Sequence, residues 1–404
     1  MYRCVCVTYP DEYLQCILWR SNLDDDIKVF KLDTVTYGTR PAAFLAIRAM
    51  HQLARDEEKS YPLGFKIVLR DFYVDDLMSG SDTVDEVIRK QTTELLRKGG
   101  FQIRKWCSND PRVLCGTAES ERVQLLKFKD GSDITKALGL VWDPNLDNFL
   151  FSFTPVVGSQ PVNKRTVLST IARFYDPIGL IGPIITKAKM FIQTLWKHKL
   201  HWDESLPQAL YSAWIELHSQ FTIISSFKFS RYVLLSNSKV QIHGFCDASL
   251  DAYGACIYVR CERSTAFESQ LLCSKSKVAP LKTLTIPKLE LSAALLLLEL
   301  IDMVAKTINF TCDFHCWSDS MVVLSWISEQ PSNFNVFVSN RISKIQTLTC
   351  GMNWHHVPTC MNPADILSRR AAPDELLASK LRTQGPEFLR TTHLPYIGHK
   401  ILSS

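Results

Sequence analysis

Apolar and polar positions change their period several times along the chain, and each change predicts an element. Ala42-Ala-Phe-Leu-Ala-Ile-Arg-Ala-Met-His-Gln-Leu and residues Thr83 to Lys98 repeat at helical spacing. Asp24 to Asp26 read as a turn between Leu18-Trp19 and a strand Ile27-Lys-Val-Phe. The run Ile67-Val-Leu-Arg-Asp-Phe-Tyr-Val-Asp-Asp-Leu-Met-Ser-Gly is apolar on both sides of a paired acid, which predicts a hairpin with Asp75 and Asp76 at its turn. Helices pass through Trp196 and Trp214. Val240-Gln-Ile-His-Gly-Phe-Cys-Asp-Ala-Ser is strand-like, and a second apolar run, Tyr253 to Val259, follows at hairpin distance. Pro287 opens a Leu/Ala-rich helix whose stripe of Leu291, Leu295 to Leu298 and Ile301 is a core face. The short run His315 to Asp319 leads into another helical pattern, and Asn362-Pro363 supplies an N-cap and first helical residue for a last one. Strands and helices in this mixture predict a multi-domain α/β chain.

Composition narrows this little. The 404 residues suffice for two or three domains with their own cores. The hydrophobic share of 46% and the charged share of 22% are ordinary for a globular protein. A formal charge of +5 is compatible with nucleic acid and diagnostic of nothing. The 13 cysteines include no Cys-x-x-Cys pair, so neither a disulfide framework nor a zinc ribbon is indicated and a reducing compartment is expected. Cys350, His355, His356 and Cys360 fit no standard zinc spacing. No signal peptide is visible, and the longest apolar run, Ala293 to Leu298, is too short to span a bilayer.

Chemistry concentrates in four acids. Asp247 lies in a strand-like run, Glu290 one turn into a helix, Asp319 at the end of a short run, and Asp365 in the first turn of a helix. That order can bring four carboxylates to one edge of a sheet, where they repel one another unless divalent metal is present. Their surroundings are Cys246-Asp-Ala-Ser, Ser274-Lys-Ser-Lys-Val-Ala-Pro, Thr285-Ile-Pro-Lys-Leu-Glu-Leu, Trp317-Ser-Asp-Ser, and His356-Val-Pro-Thr through Asn362-Pro-Ala-Asp-Ile-Leu-Ser-Arg. Five such segments in order resemble the ribonuclease H of BEL/Pao-type long-terminal-repeat retrotransposons, with its mixed five-stranded sheet and flanking helices. The resemblance implies an endonuclease that cuts the RNA strand of RNA–DNA hybrids. Asp247, Glu290, Asp319 and Asp365 would hold two Mg²⁺ or Mn²⁺ ions, with His356 assisting proton transfer or product departure.

Upstream, Tyr73-Val-Asp75-Asp76 resembles the polymerase palm of reverse transcriptases. Thr36-Tyr-Gly-Thr-Arg-Pro-Ala-Ala-Phe, containing Gly38, resembles the segment under the nucleotide and template, although Pro41 and Ala43 depart from the family pattern. Lys98-Gly-Gly-Phe-Gln-Ile-Arg-Lys-Trp, then Leu138-Gly-Leu-Val-Trp, resemble the strands that grip a primer. Phe101, Arg104, Lys105 and Trp106 would then contact nucleic acid. The palm's other catalytic Asp should precede Met1-Tyr-Arg and falls before the first residue, so no polymerase activity is expected of this chain.

The resulting organisation is a truncated palm over 1–150, a thumb or connection over 151–237, an RNase H-like domain over 238–370, and a linker or tail over 371–404. Residues 238–370 alone are expected to be more soluble than the whole chain. The implied partners are an RNA–DNA hybrid or other nucleic acid and the remainder of the polyprotein, with no membrane, and the implied places are the cytoplasm, a virus-like particle or the nucleus. Oligomeric state is not legible. The alternative to the nuclease is a catalytically dead or co-opted nucleic-acid-binding relic. An aspartic peptidase is excluded by chemistry, because the chain has neither Asp-Thr-Gly nor Asp-Ser-Gly.

Overall fold

The computed structural model describes residues 1–81, 86–128, 131–153, 161–234, 238–262, 266–308, 311–349, 352–369, 373–392 and 394, without the side chains of 86–88. They fall into two compact units, Met1–Leu138 with Trp142–Asp147, and Gly139–Val141 with Asn148–Ser404.

In the first unit, β1 (Cys16–Trp19) and β2 (Lys28–Lys31) form the antiparallel pair anticipated around the Asp24–Asp26 turn. Helix α1 (Ala42–Asp56) buries Ala46, Met50 and Ala54 at helical spacing. Helix α2 (Pro62–Arg70) opens on a proline and carries Ile67 to Arg70, which the alternation had suggested as strand. The hairpin is therefore short: β3 (Phe72–Tyr73) and β4 (Asp76–Leu77). Helix α3 covers Glu86–Lys98; the start of this helix expected at Thr83 lies outside the described residues. Short strands β5 (Leu126–Lys127) and β6 (Asp133–Ala137) follow, and β7 (Leu140–Asp143) is divided between the two units. Residues 99–105 are not a strand. Phe101 is buried with Met50, Leu95 and Leu96, so its ring belongs to the core and cannot stack on nucleic acid.

In the second unit, β8 (Asn148–Leu150) pairs antiparallel with β9 (Lys228–Ser230). Between them come α4 (Lys164–Ile171), α5 (Gly182–Lys197) and α6 (Gln208–Gln220). Helix α4 begins with a reciprocal capping box between Asn163 and Thr166, which satisfies two otherwise orphaned backbone donors. The large sheet holds β10 (Val240–Ala248), β11 (Ala252–Glu262), β12 (Phe267–Val278), β13 (Asp313–Ser318) and β14 (Asn353–His356), in the order β12-β11-β10-β13-β14. β10 to β12 form an antiparallel meander; β13 and β14 run parallel to β10. Helix α7 (Ile286–Thr307) makes the crossover to β13, and α8 (Met321–Ser328) and α9 (Val336–Leu348) the one to β14.

Period-two alternation sends β10 to two cores. Ile242 and Cys246 face α7 and α9, together with the leucine stripe of α7. Phe245, with Tyr258 and Trp317 of neighbouring strands, joins Val167, Ile184, Trp214 and Phe221 of the α4–α6 region. Central strands buried on both faces explain why these runs are almost continuously apolar.

The C-terminal segment corrects the expected linker. Helices α10 (Asp365–Ser368), α11 (Pro373–Ala378) and α12 (Lys380–Gln384) are followed by a 3-10 turn at Glu387–Arg390. Leu376 and Leu389 lie in the same core as Phe245 and Trp317. Arg382, 1% exposed, donates to the carbonyls of Gly179 (2.7 Å) and Leu180 (3.2 Å) and to Ser274 Oγ (2.9 Å). Tyr258 Oη donates to the Arg382 carbonyl at 2.8 Å, and Arg260 donates to those of Leu389 (3.0 Å) and Thr391 (2.7 Å). A chain segment tied by a buried guanidinium is part of the fold, because losing its partners would leave a desolvated charge unpaired.

Gly179 is the point of closest approach. Its φ is +76°, and an added Cβ would lie 1.9 Å from the Ser274 carbonyl oxygen on β12. Gly179→Ala is expected to lower unfolding stability by about 3 kcal/mol or more, through left-handed strain plus displaced backbone. Urea denaturation checks this, and a midpoint shift equivalent to less than about 1 kcal/mol would contradict the packing described.

Candidate active site at one edge of the large sheet

Parallel pairing of β10 with β13 sets Cys246 opposite Ser318. The next residues on the two strands are Asp247 and Asp319, on neighbours about 4.8 Å apart in any sheet. The other two acids reach this edge from helices. Glu290 stands one turn into α7, and its Oε2 accepts a hydrogen bond from Ser320 Oγ at 2.6 Å, immediately beyond Asp319. Asp365 begins α10, near enough for its charge to act on Asp247. The structure thus brings the four acids to one edge.

Uncharged side chains tether them. Asn362, fully buried, donates from Nδ2 to the Cys246 carbonyl (3.0 Å) and to Asp319 Oδ1 (3.2 Å), while its Oδ1 accepts from the Ala364 amide (3.1 Å). It was expected as the helix N-cap. The helix in fact starts at Asp365 with Ala364 as its cap residue, and Asn362 spans strand and acid instead. Thr359 Oγ1 donates to Asp319 Oδ2 at 2.8 Å, and Ser368 Oγ donates to Asp247 Oδ2. Arg369 Nε lies 2.6 Å from Asp365 Oδ1. Sequence reasoning missed Thr359, Ser320, Ser368 and Arg369 as site residues. Their only signal is adjacency, since each lies within six residues of an acid in the quoted motifs.

The electrostatics follow from crowding. Asp247 is pushed up to about 7, first by burial and then by the charges of Asp319 and Asp365, against the pull of the Ser368 hydroxyl. Burial also raises Glu290, opposed by Ser320, and raises Asp365, opposed by Arg369. All side chains offered are oxygen donors of the kind Mg²⁺ and Mn²⁺ take, so the residue set fits such ions. Among the described residues, no three His, Cys, Asp or Glu side chains already converge as a cation cage.

A stability consequence has a definite sign. A carboxyl raised in the folded state binds protons more tightly than the unfolded chain does, so stability falls as pH rises from about 4 through 7. Asp247→Asn removes the buried charge and is expected to raise stability at pH 8, in EDTA, by on the order of 2 kcal/mol. The gain should shrink as pH falls through 7. Thermal melts at pH 8 and 5 check it; a variant less stable than wild type at pH 8 would contradict the electrostatic reading.

Histidines divide by strand face. His356 pairs in register with Ser318, beside the strand end that carries Asp319. His355 points to the other face, half-buried, stacked 4.5 Å from Trp317 and bonded to His315 at 3.1 Å. Cys350 lies outside the described residues, and Cys360 is exposed.

The upstream candidates belong to the other unit. Asp75 stands at the two-residue turn of the β3–β4 hairpin after Val74 (φ +58°), and Asp76 and Tyr73 flank it, all three exposed. Gly38 (φ +88°) sits in the turn before α1. Arg104 and Lys105 are exposed, and Trp106 forms an isolated bridge to Arg122.

Residues 163–320 match the family model described as the Pao retrotransposon-like RNaseH-like domain. That span runs from α4 through β13. No curated protein matches the sequence. Among solved structures, the foamy viral protease-reverse transcriptase in complex with dsDNA is 12% identical over 88% of this chain, with a TM-score of 0.47. The chain spans 65% of that protein's length. LC11-RNase H1 in complex with RNA/DNA hybrid is 18% identical over 34% of this chain and 99% of its own, with a TM-score of 0.24. RNase H1 of Halobacterium salinarum is 16% identical over 32% of this chain and 93% of its own, with a TM-score of 0.22. No helix among the described residues is long and apolar enough to cross a membrane.

Proposed function

We propose that this chain, a retrotransposon polymerase-polyprotein segment with an RNase H-like domain, is a nuclease that cuts the RNA strand of RNA–DNA hybrids. The observation that carries the reading is the convergence of Asp247, Glu290, Asp319 and Asp365 on one sheet edge, Asp247 and Asp319 from neighbouring strands and the other two from the helices α7 and α10. Mg²⁺ or Mn²⁺ ions bound there would supply Lewis-acid stabilisation and an activated water for in-line attack on a phosphodiester. The four carboxylates would hold two such ions. Asn362 and Thr359 fix the Asp319 carboxylate between them, and Ser320 aims Glu290. Both duties are typical of outer groups that orient metal ligands. His356, at the end of β14, would move a proton to the departing oxygen. Recognition would rest on duplex shape, phosphates and 2′-hydroxyls rather than base sequence.

The Asp75–Asp76 hairpin is read as a palm remnant without polymerase activity of its own. Its acids stand in solvent, and no third ligand joins them among the described residues. A second reading, a nucleic-acid binder without cleavage, is favoured by one feature. Arg369 already pairs with Asp365, and a guanidinium there competes with a metal ion. The deciding experiment is cleavage of an end-labelled RNA–DNA hybrid by the full chain with Mg²⁺, beside RNA-only and DNA-only duplexes. Hybrid-specific cutting supports the nuclease; binding without cutting supports the second reading.

A further inference from the structure

Far from the four acids, α5 ends in an aromatic and basic corner. Trp196 and Trp202 meet edge to face, 5.5 Å apart at 87°, yet remain 49% and 41% exposed. Beneath them Lys164, only 4% exposed, holds its ammonium 3.7 Å from the Trp196 ring centroid and 5.4 Å from that of Trp202. It donates to the Leu200 carbonyl at 3.1 Å, and no carboxylate among the described residues pairs with it. A buried cation of this kind stabilises the corner and fixes both indoles. That structural role explains Lys164 but not the exposed indoles above it.

The charges around the corner are unbalanced. Asp203 is taken by Arg165 in a two-pronged pair (2.7 and 2.9 Å), and Glu204 accepts the His201 amide at 2.9 Å. Lys197, which ends α5, and Lys199 just after it are exposed and form no ion pair among the described residues. Lys189, also exposed, precedes Trp196 by seven residues, two turns along the same helical stripe and about 10 Å away. Fixed aromatic surface flanked by exposed lysines is the chemistry that receives a nucleic-acid backbone, with sugars packed against the indoles and phosphates paired with the ammonium groups.

We infer that Trp196, Trp202, Lys197 and Lys199 form a second nucleic-acid contact of this chain. Helix α5 links it to the candidate active site. Gly182, at its first turn, packs against Leu367 of α10, and the 16-residue helix is about 24 Å long. The contact would engage a hybrid several base pairs from the cut. That placement, though not the binding itself, rests on the nuclease reading.

The test is fluorescence anisotropy of a labelled 18-base-pair RNA–DNA hybrid with the full chain in EDTA, so that binding is read without cleavage. Lys197→Glu with Lys199→Glu is compared with wild type and with a charge-matched control, Lys306→Glu with Lys344→Glu. The loop variant is expected to weaken binding about tenfold or more at 0.1 M salt, and to reduce the salt slope by about 2, while the control changes little. Trp202→Phe should retain part of the affinity that Trp202→Ala loses, with both variants checked for unchanged melting. Equal weakening by loop and control variants, no weakening by the loop variant, or a wild type that binds no hybrid would each overturn the inference. Weakened binding in a protein that cuts nothing would keep this contact and remove the nuclease reading. Hybrid cutting with unaltered loop-variant binding would do the reverse.

Discussion

Asp319→Asn is expected to reduce Mg²⁺-dependent cutting of an RNA–DNA hybrid by on the order of 10³-fold, with stability changed by less than about 1 kcal/mol. The two halves of this expectation have separate causes. The loss of cutting follows from removing a full negative charge where divalent metal would have to bind; several kcal/mol of transition-state stabilisation correspond to such a factor. The retained stability follows from the local hydrogen bonds. Asp319 accepts from Asn362 Nδ2 and from Thr359 Oγ1. An Asn amide can keep its oxygen toward Asn362 and donate its NH₂ to the Thr359 hydroxyl, which also accepts. Single-turnover cleavage of end-labelled hybrid, with a thermal melt of the same preparation, measures both. Undiminished cutting by a folded Asp319→Asn protein would mean that the activity arises elsewhere than at this edge.

The second large effect concerns the boundaries of the fold. Residues 238–370 expressed alone are expected to lose fixed tertiary packing, showing dye-binding apolar surface and a flattened near-ultraviolet circular dichroism spectrum. One face of the large sheet, with Phe245, Tyr258 and Trp317, is covered by residues of α4 to α6 and by Leu376 and Leu389. Removing both covers exposes this apolar face, and area of that kind contributes about 25 cal/mol per Å². Loss of Arg382 and Gly179 would also leave the Ser274 hydroxyl without the donor and the acceptor it has in the full chain. This reverses the solubility expected from sequence. A fragment over 148–394 should retain cooperative melting; if 238–370 melts as cooperatively, the shared core is not what holds the sheet.

The hairpin and crossover logic of the large sheet was legible because its strands carry a strong local signal. Val240 to Ala248 and Ala252 to Glu262 are bounded by turn residues, and Pro287 marks the helix between β12 and β13. The four acids were legible for the same reason, each sitting at the end or start of such an element. Where alternation and helical spacing overlap, the reading failed. Ile67 to Arg70 is short enough to suit either period, and packing placed it in α2. Phe101, between basic residues, carries the same local pattern whether it faces nucleic acid or, as found, the core.

The sequence by itself determined the order of strands and helices, the acids at their ends, and the apolar stripe of α7, because these depend on residues close together along the chain. Only the tertiary structure decided which groups surround those acids. It also decided that residues 373–392 pack onto the core around the buried Arg382, and that two tryptophans of the α5–α6 corner stay exposed over a buried lysine. The physical reason is distance along the chain. Asn362 meets Cys246 across 116 residues and Arg382 meets Gly179 across 203. Contacts at such separations are set by how faces pack, which no local period encodes.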